Sequence, residues 1–484
     1  MQKKFIANLG FLLLLNLLIK PFWLFGIDRA VQNATGAEAY GQYYALFNFS
    51  LLLNILLDLG ITNFNNRNIS MNRQLLQKHI SGIITLRLLL ATLYIIISMV
   101  AALIIGYSLN EVSMLLILLF NQVLISGILY LRSNLAGLHM FRMDSIVSVL
   151  DRGIMILICA WLLWGQGKPE SFQIEWFVWA QTASYLITLI ITVAMLTGKV
   201  RFKAIRWNKA FSLMIIRKSY PFAILILLMT FYNRVDSVML ERLLADGDTQ
   251  AGIYAQSYRV MEAGNMVAFL FAGLLLPIFS TMIKQKEDVG PLLKTSVSLL
   301  VTPAIAIASI FLFSSDGLMS ALYKYNAKES AMVTPFLMIS FIMISSSYIF
   351  GTLLTANGKL KLLNILAAIG MLMNILLNLF LIPKWGAVGA ATSSLVTQST
   401  LAISQIWLCK KEFGLKLNWS FINRMALFTL VCVILMYLLP YWLPSSNSIW
   451  VNCLLMALTS FLIALSLQVI NWRELVSIVL KKNN

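Results

Sequence analysis

The chain has 484 residues, 60% of them hydrophobic and only 12% charged, with a formal net charge of +18. That balance excludes a soluble globular domain and makes the chain a polytopic membrane protein. The basic excess sits in short stretches between apolar runs, a topology signal rather than the footprint of nucleic-acid binding, so no nucleic-acid partner is expected.

A span needs about 20 mostly apolar residues. The sequence supplies about fourteen such runs, centred near Lys20, Leu51, Tyr94, Val123, Leu157, Thr188, Leu228, Ala268, Ala304, Met343, Leu372, Val396, Ile434 and Ala457. The first follows a basic start, as in a signal peptide. It runs on to about Val31 without an A-x-A cleavage pattern, so an uncleaved first span is expected. Pro21, Pro221, Pro303 and Pro335 interrupt runs, as expected where helices kink around a cavity. Cys159, Cys409, Cys432 and Cys453 lie within apolar runs with no CxxC spacing, and His79 and His139 stand apart, so neither a disulfide framework nor a metal site is expected.

The connections set the orientation. Arg67, Arg73 and Lys78 follow the second span, and Arg132 and Arg142 the fourth. Lys199, Arg201, Lys203, Arg206, Lys209, Arg217 and Lys218 follow the sixth. Later even-numbered connections add Lys284, Lys286, Lys359, Lys361, Lys410, Lys411 and Lys416, and Lys481 and Lys482 end the chain. Odd-numbered connections hold little: Glu38, Glu111, Lys168, Glu170, Asp246, Asp248 and Lys384. The positive-inside rule then places both termini in the cytoplasm. The expected organisation is an all-α protein with six spans over 1–198, a basic linker over 199–218 resting on an anionic leaflet, six more spans over 219–411, and a final helix pair with a tail over 412–484. A faint repeat links the halves. TGAEAYGQYYALFNF and GDTQAGIYAQSYRV each place a polar outer turn before a G-x-Y, Gly41–Tyr43 and Gly252–Tyr254. Repeats of six spans share one orientation, an arrangement found in transporters that rock two lobes about a central site.

The most specific stretch is 355–394, TANGKLKLLNILAAIGMLMNILLNLFLIPKWGAVGAATSS. Its Asn374, Asn378, Ile382, Pro383, Gly386, Gly389, Ala390 and Ala391 resemble the N-x-x-x-N-x-x-x-I-P-x-x-G-x-x-G-A-A pattern of polysaccharide transporters in the multidrug/oligosaccharidyl-lipid/polysaccharide (MOP) exporter superfamily. GAEAYGQYYAL at 36–46, Asp58–Gly60 and YNRVDSVML followed by AGIYAQSYRV are similar to the family as well. The physics of the best stretch is structural: Pro383 and Gly386 predict a tight outer turn, and the small residues allow close helix approach. The resemblance implies two six-helix lobes around a V-shaped cavity in a bacterial inner membrane. It also implies translocation of an undecaprenyl-diphosphate-linked oligosaccharide from the inner to the outer leaflet. The extra final pair fits the longer members of the family.

Such a protein has to shield a diphosphate and a glycan from hydrocarbon, and arginine suits bidentate phosphate contact. An ionised group at mid-bilayer costs roughly 2.5–3.5 kcal/mol, so intramembrane charges are the candidates. Substrate-binding candidates are Lys20, Arg29, Arg87, Arg234 and Arg259. Lys20 reaches neither face easily, and Pro21 beside it frees a backbone carbonyl. Arg29 can equally snorkel to the outer headgroups, and for Arg87 snorkelling to the cytoplasmic face is the favoured reading. Arg259 and Glu262 share a helical face, so a local ion pair competes with a substrate role. Arg234 and Asp236 lie about 200° apart around a helix and cannot simply neutralise each other. Asp28, Asp236 and Glu262 are candidates either for binding a coupling proton or sodium ion or for structural salt bridges, while Asp58 and Asp151/Arg152 are read as helix-end anchors. Trp161, Trp164, Trp176, Trp179, Tyr437, Tyr441, Trp442 and Trp450 read mostly as interfacial belt.

The leading expectation is a monomeric, non-enzymatic flippase for O-antigen, capsule or exopolysaccharide assembly. Its partners are the bilayer, the polyprenyl-diphosphate-linked oligosaccharide, and a polysaccharide polymerase with its chain-length machinery. No cofactor beyond a coupling ion is expected. The alternatives are a lipid II flippase and a cation-coupled multidrug exporter. The exporter is disfavoured because the intramembrane groups are at least as often basic as acidic. The outward connections are too short for a membrane glycosyltransferase, and no GxxxxGK[ST] loop is present for direct ATP drive.

Overall fold

The computed structural model describes residues 14–62, 74–138, 140–165, 172–197, 209–415, 418–442 and 448–470. The basic positions Arg67, Arg73, Lys199, Arg201, Lys203, Arg206, Lys416, Lys481 and Lys482, together with His139, Lys168 and Glu170, lie outside the described residues. Everything regular among the described residues is helical, as hydrocarbon demands of a spanning backbone that is not a closed barrel. The first helix, α1 (14–35), contains a π-helical stretch at Trp23–Asp28 and ends where Gly36 adopts φ 81 inside the continuous run Arg29–Leu52; α2 (37–52) follows. Then come α3 (Gln74–Ile105), α4 (Leu109–Gly137), α5 (Phe141–Ala160), α6 (Ile174–Thr197), α7 (Lys209–Leu243), α8 (Gly247–Gln285), α9 (Gly290–Leu322) and α10 (Ala327–Ala356). The run Leu360–Phe413 breaks at Gly386 into α11 (360–385) and α12 (387–413), and α13 (Trp419–Trp442) and α14 (Ile449–Ser466) complete the order. Eleven of the helical runs are long and apolar enough to cross a membrane. Counting the Gly386 break and the pair around Gly36, the segments number about fourteen, as the apolar runs predict.

The chain forms two compact units, Met1–Gly252 and Ile253–Asn484. In the first, α4 packs on α6, α2 runs along α7, and buried tyrosines fill the space. A tyrosine hydroxyl inside a bilayer needs a partner. Tyr94 donates to the Ser50 carbonyl at 2.5 Å, and Gln181 donates to Tyr43 at 2.6 Å. In the second unit, α10 lies between α9 and the α11–α12 run, and Ser257 of α8 donates to the Ser330 carbonyl at 2.8 Å. The final pair α13–α14 rests on α9 through Ile310, Leu318, Met436 and Met456. Ile104 and Leu157 are 80% and 71% exposed, a disposition that only lipid makes favourable.

One local expectation shifts. The tight turn read from Pro383 and Gly386 is a break at Gly386 alone, with φ 53 and ψ −131, and the helix continues through Pro383. A proline forfeits one backbone hydrogen bond without requiring the chain to turn, whereas the Gly386 conformation is one that residues with a Cβ avoid.

Candidate functional site

Within the first unit, α1 and α5 are held in register by a buried hydrogen bond from Asn16 Nδ2 to Ser148 Oγ, 3.1 Å. Both residues are buried, so this bond ties one helix to the other at that level. One turn further along each helix stand Lys20 and Arg152, at i+4 from Asn16 and Ser148. The charges acting on Lys20 are two guanidiniums, Arg152 and Arg132, and one carboxylate, Asp151. Arg152 lies over the Trp23 ring at 5.4 Å, reaches the Tyr185 hydroxyl at 3.5 Å, and is 3.8 Å from Asp151. Arg132 bonds Asp144 through Nε at 2.8 Å. Trp23 is itself fixed by stacking on Phe177, with centroids 5.7 Å apart. The arrangement is a positively charged, aromatic-backed spot at membrane depth. Cations grouped in this way suit an anion of more than one charge.

The remaining sequence candidates fall in different surroundings. Arg87 does not snorkel. It is 9% exposed; its Nη1 donates to Asp58 Oδ1 at 2.7 Å and Thr62 Oγ1 at 3.2 Å, its Nη2 donates to the Ser126 carbonyl and hydroxyl at 2.8 and 2.6 Å, and its guanidinium lies 5.0 Å from the Tyr130 centroid. The reason is local: the chain turns at 58–60, directly after the 3-10 helix Asn54–Leu57, and leaves Asp58 within reach of α3. Asp58 also accepts from the Thr62 amide at 3.1 Å, the helix-end role read from sequence.

Asp28, in the π-helical stretch, is 1% exposed and accepts from Gln32 at 3.0 Å and the Tyr40 hydroxyl at 2.9 Å. Beside it Arg29 has its Nε buried without a hydrogen-bond partner. Arg234 and Asp236 differ in exposure: Asp236 is 1% exposed, whereas Arg234 is half-buried and donates to Asn48 Oδ1 of α2 at 3.4 Å. Lys20, Arg29, Asp28, Arg234 and Asp236 all belong to the first unit. In the second unit, Arg259 and Glu262 form the local pair at 2.6 Å. The belt reading suits Trp161, Trp164, Trp179, Tyr437 and Trp450, all exposed on the outside of the helices. Among the described residues no group of His, Cys, Asp and Glu could hold a metal ion.

Two features escape the sequence reading. Arg152, read with Asp151 as a helix-end anchor, lies 3.8 Å from Asp151 and also acts on Lys20, which only the α1–α5 register reveals. The second is a cluster at the start of α4 and the end of α7. Arg242 bonds Glu241 through Nε at 2.7 Å, bonds Glu111 through Nη2, and lies 3.8 Å from the Tyr107 centroid. Tyr107 donates to Glu241 at 3.2 Å, and its burial raises the phenol well above its ordinary value, so it stays a donor. Glu111 also closes a capping box with Ser108 at the start of α4, accepting from the Ser108 amide at 2.6 Å.

The family model for polysaccharide biosynthesis proteins matches residues 6–283. An uncharacterized membrane protein of Methanocaldococcus jannaschii, MJ1375, is 23% identical over 375 residues, 75% of this chain and 88% of the relative. The capsular polysaccharide biosynthesis protein CapF of Staphylococcus aureus is 23% identical over 181 residues, 37% of this chain and 45% of CapF. Among solved structures, the lipid II flippase MurJ in an inward closed conformation superposes with a TM-score of 0.73 at 15% identity, covering 96% of this chain and all 100% of that one. An inward-facing multidrug resistance transporter of the MATE family reaches 0.65 at 14% identity, with 81% and 94% covered. The chain belongs to the polysaccharide biosynthesis protein family, and its fold is the one shared by flippases and exporters of the MOP superfamily.

Proposed function

We propose that the protein is a flippase that carries a polyprenyl-diphosphate-linked oligosaccharide across the bacterial cytoplasmic membrane by alternating access, supplying O-antigen, capsule or exopolysaccharide assembly. The observation that carries this reading is the positive surroundings of Lys20, where three cations, Lys20, Arg152 and Arg132, are set against two carboxylates, Asp151 and Asp144. Like charges brought together inside a membrane unit raise its energy unless an anion visits. A diphosphate satisfies them while its prenyl chain remains in lipid. The family and the capsule-related relative support a polysaccharide precursor as cargo. Arg29, Arg234 and Arg259 are further positions for cargo contact; Arg87, with both terminal nitrogens engaged, serves as a structural tie. Asp28 and Asp236 are the proposed coupling-ion positions, and nothing in the reading needs a chemical step.

The test is genetic and direct. A strain lacking the gene loses surface polysaccharide and accumulates the lipid-linked precursor on the inner leaflet. Lys20→Ala and Arg152→Gln fail to restore it at normal membrane abundance. Full restoration by the double variant would refute the site. The lipid II reading rests on fold likeness alone; arrest of growth and cell-wall synthesis on depletion, rather than loss of surface polysaccharide, would select it.

A further inference from the structure

The outer end of the first unit is fastened by a contact between segments that the sequence repeat relates. At Gly41 of α2 a Cβ would lie 1.8 Å from the Asp248 carbonyl oxygen, and at Gly252 of α8 a Cβ would lie 2.0 Å from the Ala37 carbonyl oxygen. Each G-x-Y glycine therefore admits the backbone of the other repeat. Beside this crossing stands the Arg242 cluster. The charges on its elements are Glu38 at the start of α2, Tyr107 before α4, Glu111 in the first turn of α4, Glu241 and Arg242 at the end of α7, Asp246 in the turn, and Asp248 in the first turn of α8.

One guanidinium serves this whole set. Glu241 and Glu111, whose side chains are 3% and 12% exposed, both bond Arg242. Asp248 interacts electrostatically with Glu111, Glu38 and Arg242, and its Oδ1 is buried without a hydrogen-bond partner. Asp246 accepts from Gln250 at 2.9 Å and is exposed. A buried carboxylate oxygen with no donor, beside two carboxylates sharing one cation, is a place where a proton lowers the energy.

We propose that this clasp is a proton-binding site, formed by Glu241 and Asp248 beside the Glu111–Arg242 pair, that links the packing of α2 and α4 against α7 and the start of α8 to external pH. Assembling the clasp brings Glu241 and Asp248 close to Glu111 and out of water, while Glu111 keeps its own donors, the Ser108 amide and Arg242; separating the elements returns Glu241 and Asp248 to water and an ordinary affinity for protons. The assembled state therefore binds more protons. Acid favours it, and it loosens as pH rises. For a single linked proton, the ratio of assembled to separated molecules changes by up to about tenfold per pH unit.

The test needs no cargo, so it stands apart from the flippase reading. Nitroxide labels are placed at Leu109→Cys and Ala245→Cys, both exposed positions, in full-length protein whose native cysteines are replaced. Distances are measured by pulsed electron resonance in lipid nanodiscs between pH 5 and 8. The short-distance population is expected to fall as pH rises. Glu241→Gln or Asp248→Asn, whichever removes the proton's site, holds it high at pH 8. Asp248→Asn is the partly exposed position and serves if Glu241→Gln fails to fold. A wild-type distribution that does not change with pH overturns the proposal, as does an equally steep response in Glu241→Gln, Asp248→Asn and Glu111→Gln.

Discussion

Replacing Arg87 with methionine separates a structural charge from a cargo-binding one. The side chain would lose four hydrogen bonds, to Asp58, Thr62 and both oxygens of Ser126, and its stacking on Tyr130. Asp58, its side chain 26% exposed, would keep Thr62 but lose its counter-charge. Breaking a buried pair costs about 3–5 kcal/mol, and the partial exposure of Asp58 puts this case at the lower end, about 3 kcal/mol. Asp58→Asn, which strands the guanidinium at 9% exposure, should cost at least as much. The double variant removes both charges together and should regain at least half of the loss, since a pair replaced as a unit is often nearly neutral. Lys at 87 keeps the charge without the fork to Ser126 and should fall between. The assay is thermal unfolding of detergent-purified protein followed by tryptophan fluorescence, alongside surface-polysaccharide restoration in cells. Activity should track stability through the series. Arg87→Met protein that melts at the wild-type temperature yet fails to restore polysaccharide would refute the tie and return Arg87 to the cargo.

Gly252→Val places side-chain carbon against the Ala37 backbone, which cannot yield by changing rotamer, so the loss of stability should be at least the about 1–3 kcal/mol of ordinary overpacking; Gly273→Ala, where nothing lies within 4 Å, is the control that should melt unchanged. Asp28→Asn preserves acceptance from Tyr40 and Gln32 through its amide oxygen while abolishing ionisation; cargo exchange across proteoliposomes should persist and ion-driven accumulation should stop. Equal loss of both processes would mark Asp28 as structural. Glu262→Gln removes the charge that Arg259 meets at 2.6 Å on the same helix but leaves it an acceptor, and should cost about 1–2 kcal/mol, because the pair is no more exposed than Arg87–Asp58 but is local and keeps a hydrogen bond. A loss of several kcal/mol would show that Glu262 holds more than its neighbour.

How far these residues were legible depends on the distance over which each interaction acts. Bilayer thickness imposes the helices, so the apolar runs foretold α1–α14, and Gly36 marks a break as well as Gly386 does. Arg259–Glu262 follows from helical spacing alone. Arg87–Asp58 joins positions 29 apart, and Arg242–Glu111 positions 131 apart; periodicity is silent about both. Lys20 stands out in the sequence because a lone ammonium in hydrocarbon is anomalous. Arg152 does not, since its neighbour Asp151 offers a local explanation, and its action on Lys20 depends on the α1–α5 register that the Asn16–Ser148 bond marks across 132 residues. The G-x-Y repeat was visible, but its consequence, two glycines admitting each other's backbones, lies in packing.

The most direct measurement follows a fluorescent polyprenyl-diphosphate oligosaccharide in proteoliposomes, reading outer-leaflet arrival by a membrane-impermeant quencher. Wild-type protein should transfer it, and Lys20→Ala/Arg152→Gln should slow transfer at least about tenfold, the loss of roughly 1.4 kcal/mol of cargo stabilisation, while melting at the wild-type temperature. Transfer by the folded double variant at the wild-type rate would contradict the account.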